Sequence, residues 1–154
     1  MVERIVSGGQ SGVDRGALDF ALAHGLPCGG WCPNGRIAED GRIPPLYPVC
    51  ETPSSDYVER TAWNVRDSDG TLIITWGEPT EGTAFTVDCA VQQRKPHFVW
   101  DMDADCGADR VAAWLRQNDI RTLNVAGPRE SKHPGAHAAT RAALERVFDL
   151  LDSH

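Results

Sequence analysis

The stretch VSGGQSGVDRGALDFAL, Val6 to Leu22, decides the fold. An apolar run ends there, a glycine-rich turn follows, and an amphipathic helix begins. Glu3–Ser7 reads as a short first strand, because Ile5 and Val6 close it and Gly8 breaks it. Ser11–His24 reads as a helix: Ala17, Leu18, Ala21 and Leu22 fall on one face, and Gly25 stops it. Ser11 is the expected cap, with Asp14 three residues later as in a capping box. A plain connection needs one or two turn residues. Gly8-Gly9-Gln10-Ser11-Gly12 holds three glycines. Glycine lets another group approach the backbone with no Cβ in the way. A helix N-terminus behind it presents N–H groups and partial positive charge. The turn therefore reads as a place for an anion.

The same pattern recurs along the chain. Leu26–Trp31 is a weaker strand, interrupted at Gly29-Gly30. Pro33–Pro53 is a long irregular stretch with five of the 10 prolines, and a loop of that length suggests a functional segment or lid. Helix spacing returns over Ser55–Asp67 through Tyr57, Val58, Thr61, Ala62 and Val65. GTLIITWG, residues 70–77, is the clearest buried strand. A helix follows over Thr83–Arg94, a strand over Pro96–Trp100, and an amphipathic helix over Cys106–Asn118. Arg121–Ala126 is the last strand and Pro134–Leu151 the closing helix. Strands alternating with helices imply an α/β domain spanning 1–154. Its central sheet is mostly parallel, with helices on both faces.

Bulk properties narrow the function. The chain has 154 residues, 41% hydrophobic and 24% charged, which suits one domain with one core. A net charge of −7 argues against nucleic acid, which needs clustered Lys and Arg. No apolar run approaches a membrane span, and the N-terminus has no signal-like stretch, so the cytoplasm is the expected compartment. Five cysteines, an odd number, read as free thiols, and the spacing of His24, Cys28 and Cys32 is not that of a metal site.

In parallel sheets, ligands bind outside the carboxyl ends of the strands. Three loops sit at such ends: Gly8 to Gly12, Gly77 to Thr83, and Ala126 to Ser131. Ser11, Thr83 and Ser131 supply hydroxyls, and Arg129 a fork-shaped cation for an oxyanion. Arg15 opens the first helix, Arg36 lies where the Pro-rich loop could fold over the site, and Trp76 is placed to stack on a flat ligand. Asp14 reads as a helix-terminus partner, and Thr61 and Asn64 as surface or packing residues. No catalytic constellation stands out, since none of the five histidines has an evident nucleophile partner. Glu81 and Glu130 are the carboxylates set in the expected site. The partner expected from residues alone is a small phosphorylated or oxyanion ligand.

A family resemblance rests on SGGQSGVDRGALDFAL, GWCPNGRIAEDGRIPPLYP, ERTAWNVRDSDGTLII, EGTAFT and LNVAGPRES. Together these resemble the molybdenum cofactor carrier proteins, in the circularly permuted YpsA branch of the SLOG superfamily. The resemblance runs from about Ile5 to the final helix. It implies a Rossmann-like three-layer sandwich, a homo-oligomer, and binding and protection of molybdenum cofactor (molybdopterin) for a molybdoenzyme recipient. Carried over by motif, the contacts are Gly8, Gly9, Gln10, Ser11, Gly12, Gly82, Thr83, Gly127, Pro128, Arg129, Glu130 and Ser131. Arg15, Arg36, Trp76 and Glu81 join them from the residue reading.

The wider superfamily includes phosphoribohydrolases with a Pro-Gly-Gly-x-Gly-Thr pattern followed by a catalytic Glu. Here the stretch is Pro79-Thr80-Glu81-Gly82-Thr83, and Thr86-Val87-Asp88 follows. That departure leaves a nucleotide or ADP-ribose hydrolase as the alternative, with Glu81, Glu130 or Asp88 as acid–base groups. A ligand-sensing partner domain is a third reading.

Overall fold

The computed structural model describes residues 1–104 and 107–153. In chain order the elements are β1 (Arg4–Val6), α1 (Val13–Ala23), β2 (Cys28–Gly29), β3 (Trp31–Cys32), β4 (Ile37–Ala38), β5 (Gly41–Arg42), β6 (Cys50–Glu51), α2 (Tyr57–Arg66), β7 (Gly70–Thr75), α3 (Glu81–Gln92), β8 (His97–Asp101), α4 (Ala108–Gln117), β9 (Thr122–Ala126) and α5 (Ala136–Asp152). The start expected at Cys106 lies outside the described residues.

Five strands form one parallel sheet in the order β2-β1-β9-β7-β8. The last strand in sequence thus lies in the middle, with Ile5 beside Leu123 on one side and Leu72 beside Val125 on the other. All six residues of β7 are buried. Leu72 and Ile74 face a core shared with Leu123 and Val125 and with α1, α4 and α5. Val65 of α2 packs with Cys89 and Ala90 of α3 in a separate cluster. The fold is therefore Rossmann-like, with helices on both faces of a parallel sheet. Each buried Leu or Ile contributes about 1.5–3 kcal/mol of transfer free energy. The continuous apolar run of β7 is what a strand covered on both faces requires.

Two expectations need correction. The Leu26–Trp31 strand is two strands: β2 pairs with β1, and β3 pairs with β6. Gly30, at φ 127°, makes the break. A Cβ there would lie 2.2 Å from the Ser7 carbonyl oxygen, so the chain turns off the sheet at contact distance. The Pro33–Pro53 stretch is also more ordered than its composition suggests. β4 and β5 form an antiparallel hairpin, and Ala38, Ile43, Tyr47 and Val49 bury against Leu18 of α1. Arg36 is turned into this segment rather than over the site. Its guanidinium donates to the carbonyls of Ile43, Pro44, Tyr47 and Val49 at 2.8–3.1 Å. Four backbone carbonyls thus converge on one side chain, two of them, Pro44 and Tyr47, also accepting from the amides of Tyr47 and Val49.

Among the described residues, no helix is long and apolar enough to cross a membrane. Cys28, Cys32, Cys50 and Cys89 are free thiols.

Candidate functional site

β1, β9 and β7 are neighbours and run parallel, so the loops leaving them lie side by side. Together with α2 and the start of α3 they enclose a cavity of about 380 Å³. Gly8 and Gln10 come from the β1 loop, Thr80 to Thr83 from the α3 start, and Gly127, Pro128, Arg129 and Lys132 from the β9 loop. Asn124 of β9 and Arg60, Thr61 and Asn64 of α2 complete the wall. The volume is that of an ordinary small-molecule site.

The floor carries a buried ion pair. Arg60 Nη1 donates to Asp14 Oδ2 at 3.1 Å, with side-chain exposures of 15% and 6%. The Gln10 amide donates to the same oxygen at 3.3 Å. Burial pushes the Asp14 carboxyl above its usual range, against the pull of the Arg60 guanidinium. Arg60 Nε is buried with no hydrogen-bond partner. A Cβ on Gly8 would lie 1.7 Å from Arg60 Nη1. The glycine is thus needed because the arginine crosses the backbone there.

The rim carries a second charge cluster. Lys132 Nζ meets Glu81 Oε2 at 3.0 Å, and Arg129 lies between Glu81 at 4.0 Å and Glu39 at 3.3 Å. The Lys132 ammonium holds the exposed Glu81 carboxyl below its usual range. Glu81 has φ 50°, a conformation that costs a non-glycine residue about 1–2 kcal/mol. Thr83 is buried, and its hydroxyl makes no hydrogen bond among the described residues. The α3 N-terminus opens at this rim; the Thr83 amide donates to the Thr80 carbonyl at 3.1 Å, and the amides of Glu81 and Gly82 precede the first helical bond.

The family model for circularly permuted YpsA SLOG proteins matches residues 5–148. The chain belongs to this family. A crystal structure of a "Putative molybdenum carrier protein" from Syntrophus aciditrophicus is 46% identical, with a TM-score of 0.91. The match covers 95% of this chain and 94% of that one. No curated protein matches.

In this SLOG chain, the expected site residues divide. Gly8, Gln10, Glu81, Gly82, Thr83, Gly127, Pro128 and Arg129 line the cavity. The others do not, and each has a visible occupation. Gly9 is covered by the hairpin side of the Pro-rich segment, with Ile43 Cδ1 2.9 Å from where its Cβ would be. Gly12 meets the β9 loop, where a Cβ would stand 2.5 Å from the Pro128 oxygen. Ser11 does not cap α1: its hydroxyl donates to Glu39 and accepts from the Glu130 amide at 3.1 Å. Ser131 also donates its hydroxyl to Glu39. Arg15 binds Asp40 at 3.0 Å and the Gly9 carbonyl at 3.1 Å. Glu130 accepts from the amides of Gly135 and His137 at 2.7 and 2.9 Å, which caps α5 and lowers its pKa. Trp76 stacks on His133 at 3.9 Å and lines a smaller adjoining space of about 100 Å³. Arg36 is the carbonyl clamp described above.

Several cavity residues fall outside the site expected from sequence. Asp14, Thr61 and Asn64 read there as structural, Tyr57 and Asn124 as members of a helix and a strand, and Arg60 and Lys132 carry no expected role. Asn124 carried a usable signal, as a polar residue inside the apolar strand TLNVA. Arg60 carried one too, since it lies in the ERTAWNV motif on the helix face of Thr61 and Asn64.

Proposed function

We propose that this protein binds and protects molybdenum cofactor or a related phosphorylated pterin or nucleotide in the 380 Å³ cavity. One observation supports this most: strand-end loops and helix α2 bring Arg60, Arg129, Lys132 and the α3 N-terminus around a single space. A phosphate or oxo-metal end would be held by Arg129, Lys132 and the first amides of α3. The donor set suits oxygen atoms. The likeness to the Syntrophus aciditrophicus protein supports a carrier role. In this reading the protein is a cytoplasmic homo-oligomer of single-domain subunits, and a molybdoenzyme receives the cargo.

The test is anaerobic incubation of the purified protein with molybdenum cofactor. Co-elution on size exclusion and a lengthened cofactor half-life are expected. Free-solution decay with no co-elution would end the proposal.

A second reading, nucleotide hydrolysis, has Asp14 on its side. It is a carboxyl lining the cavity, and burial pushes its pKa upward against the pull of Arg60, the direction that suits an acid–base group. Glu81 and Glu130 suit that role poorly, because ion pairing and helix capping hold them ionised. Incubation with a nucleotide panel, followed by product chromatography, separates the readings: turnover favours the hydrolase.

A further inference from the structure

The rim and the floor of the cavity differ in what they offer a ligand. The rim offers positive charge from Arg129 and Lys132 and the unbonded hydroxyl of Thr83. The floor offers acceptors. Asp14 is 5% exposed and Asn124 2%, and both line the cavity. Asp14 Oδ2 is taken by Arg60 and the Gln10 amide, and the Ser7 hydroxyl also lies within hydrogen-bonding reach of the carboxyl. Asn124 bonds through its amide to Thr71 Oγ1 at 3.2 Å, which leaves the other end of the amide for a ligand. The Thr71 hydroxyl can donate or accept, so that end can present its oxygen. Beside these two acceptors stands one donor group, the Arg60 guanidinium, with its Nε unpartnered.

A buried donor with nothing to donate to costs about 1–3 kcal/mol, and Arg60 Nε is such a donor, so a ligand that supplies an acceptor removes that cost. A carboxylate, a side-chain amide and a guanidinium lining one cavity match one kind of edge. It carries neighbouring N–H donors next to a ring nitrogen or carbonyl acceptor.

We infer that the cavity floor reads the amino-oxo edge of a fused heterocycle, with Asp14 and Asn124 accepting from its N–H groups and Arg60 donating to its acceptor. This rests on the rim holding the anionic end of the same ligand. The edge is shared by pterins and by guanine, and both are tested. Asp14 and Asn124 are then specificity-determining residues. A ligand that replaces the exocyclic amino group by oxygen turns a donor toward the Asp14 carboxylate into a repelling acceptor. Discrimination of that kind is steep, because the wrong ligand leaves buried polar groups unpaired.

The experiment uses the whole chain and compares pterin with lumazine, its 2-oxo analogue, by calorimetry and quenching of tryptophan fluorescence. A parallel pair is guanosine and inosine 5′-monophosphate, with inorganic phosphate as the rim probe. Pterin is expected to bind at least about 10-fold more tightly than lumazine. The Asp14→Asn variant should erase most of that preference. Because Asp14→Asn disturbs the Arg60 pair, Asn124→Asp is run beside it and should keep the preference. Preference for guanosine over inosine monophosphate without pterin binding assigns the edge to a nucleotide and still supports the inference. Equal binding of both members of each pair, or no binding of either, overturns it. Phosphate binding that survives such a result leaves the rim reading standing. Loss of phosphate binding by the unmodified chain defeats the rim reading instead.

Discussion

The β1 loop and the start of α3 make an instructive pair. Both are turns entering a helix at the rim of the sheet, and both contain glycine. In the β1 loop the space beside the glycines is already filled by the protein. Arg60 crosses Gly8, Ile43 covers Gly9, and the Pro128 and Glu130 backbone abuts Gly12. At α3 the space is open: a Cβ on Gly82 would meet only Tyr57 at 3.8 Å, and one on Gly77 would meet nothing. The glycine-dense loop is where the chain packs against itself, and the glycine-poor one is where a ligand has room. Glycine density reports close approach without saying which group approaches.

The sharpest way to break this contrast is Gly12→Ala. The residue has φ 80° and backbone atoms at 2.5–2.7 Å from the added Cβ. A loss of about 3–5 kcal/mol in unfolding free energy is expected by urea denaturation. A loss under about 1 kcal/mol would mean the loop relaxes easily and the contrast is false. Next in size is Arg129→Ala. Its side chain is 46% exposed, so stability should hold while affinity for an anionic ligand falls about 10–100-fold by titration. Glu81→Gly follows. It removes a left-handed strain and the carboxylate paired with Lys132. A gain of about 0.5–1 kcal/mol in stability and several-fold tighter phosphate binding are expected. Gly82→Ala should change stability by less than about 1 kcal/mol, and upward, as a helix position with an ordinary contact allows.

The smallest expected effect is local and depends on pH. Glu39 is slightly desolvated, which raises its pKa, but hydrogen bonds from Ser11 and Ser131 and the Arg129 charge outweigh this and hold it below 4.5. Its latch on the hairpin is therefore at full strength above that value and is lost as pH falls through the lowered pKa. Hydrogen-exchange protection over residues 33–53, measured against the intrinsic exchange rate at each pH, should fall at pH 3 relative to pH 6. Glu39→Gln should flatten that difference. An unchanged pH response in the variant would mean the acid sensitivity arises elsewhere.

Much of the scaffold was legible in the sequence because it follows hydrophobic period. GTLIIT reads as a covered strand from its composition alone, and the alternation of strands and helices leaves few topologies. The rim loops were legible as well, through their position at strand ends. What was not legible depends on contacts distant in sequence. Nothing near Gly8 announces that Arg60, a helix away, will occupy its empty side. Ser11 has the chemistry of a cap, yet Glu39 and the Glu130 amide compete for its hydroxyl and win. The Pro-rich segment reads as irregular because its order comes from Arg36 and from burial against Leu18, neither of which has a local period.

The placement of β9 has a consequence for how the molecule is made. Its flanking partners, β1 and β7, emerge from the ribosome long before it and share no edge with each other. Until residues 122–126 arrive, each carries an unsatisfied apolar border, and no shorter nascent chain closes the sheet. The cavity, walled on one side by Asn124 and the loop that follows it, comes into being only at that late insertion. Binding competence and completion of the sheet are then a single event in biosynthesis, so a partly synthesised chain has no site with which to capture cargo.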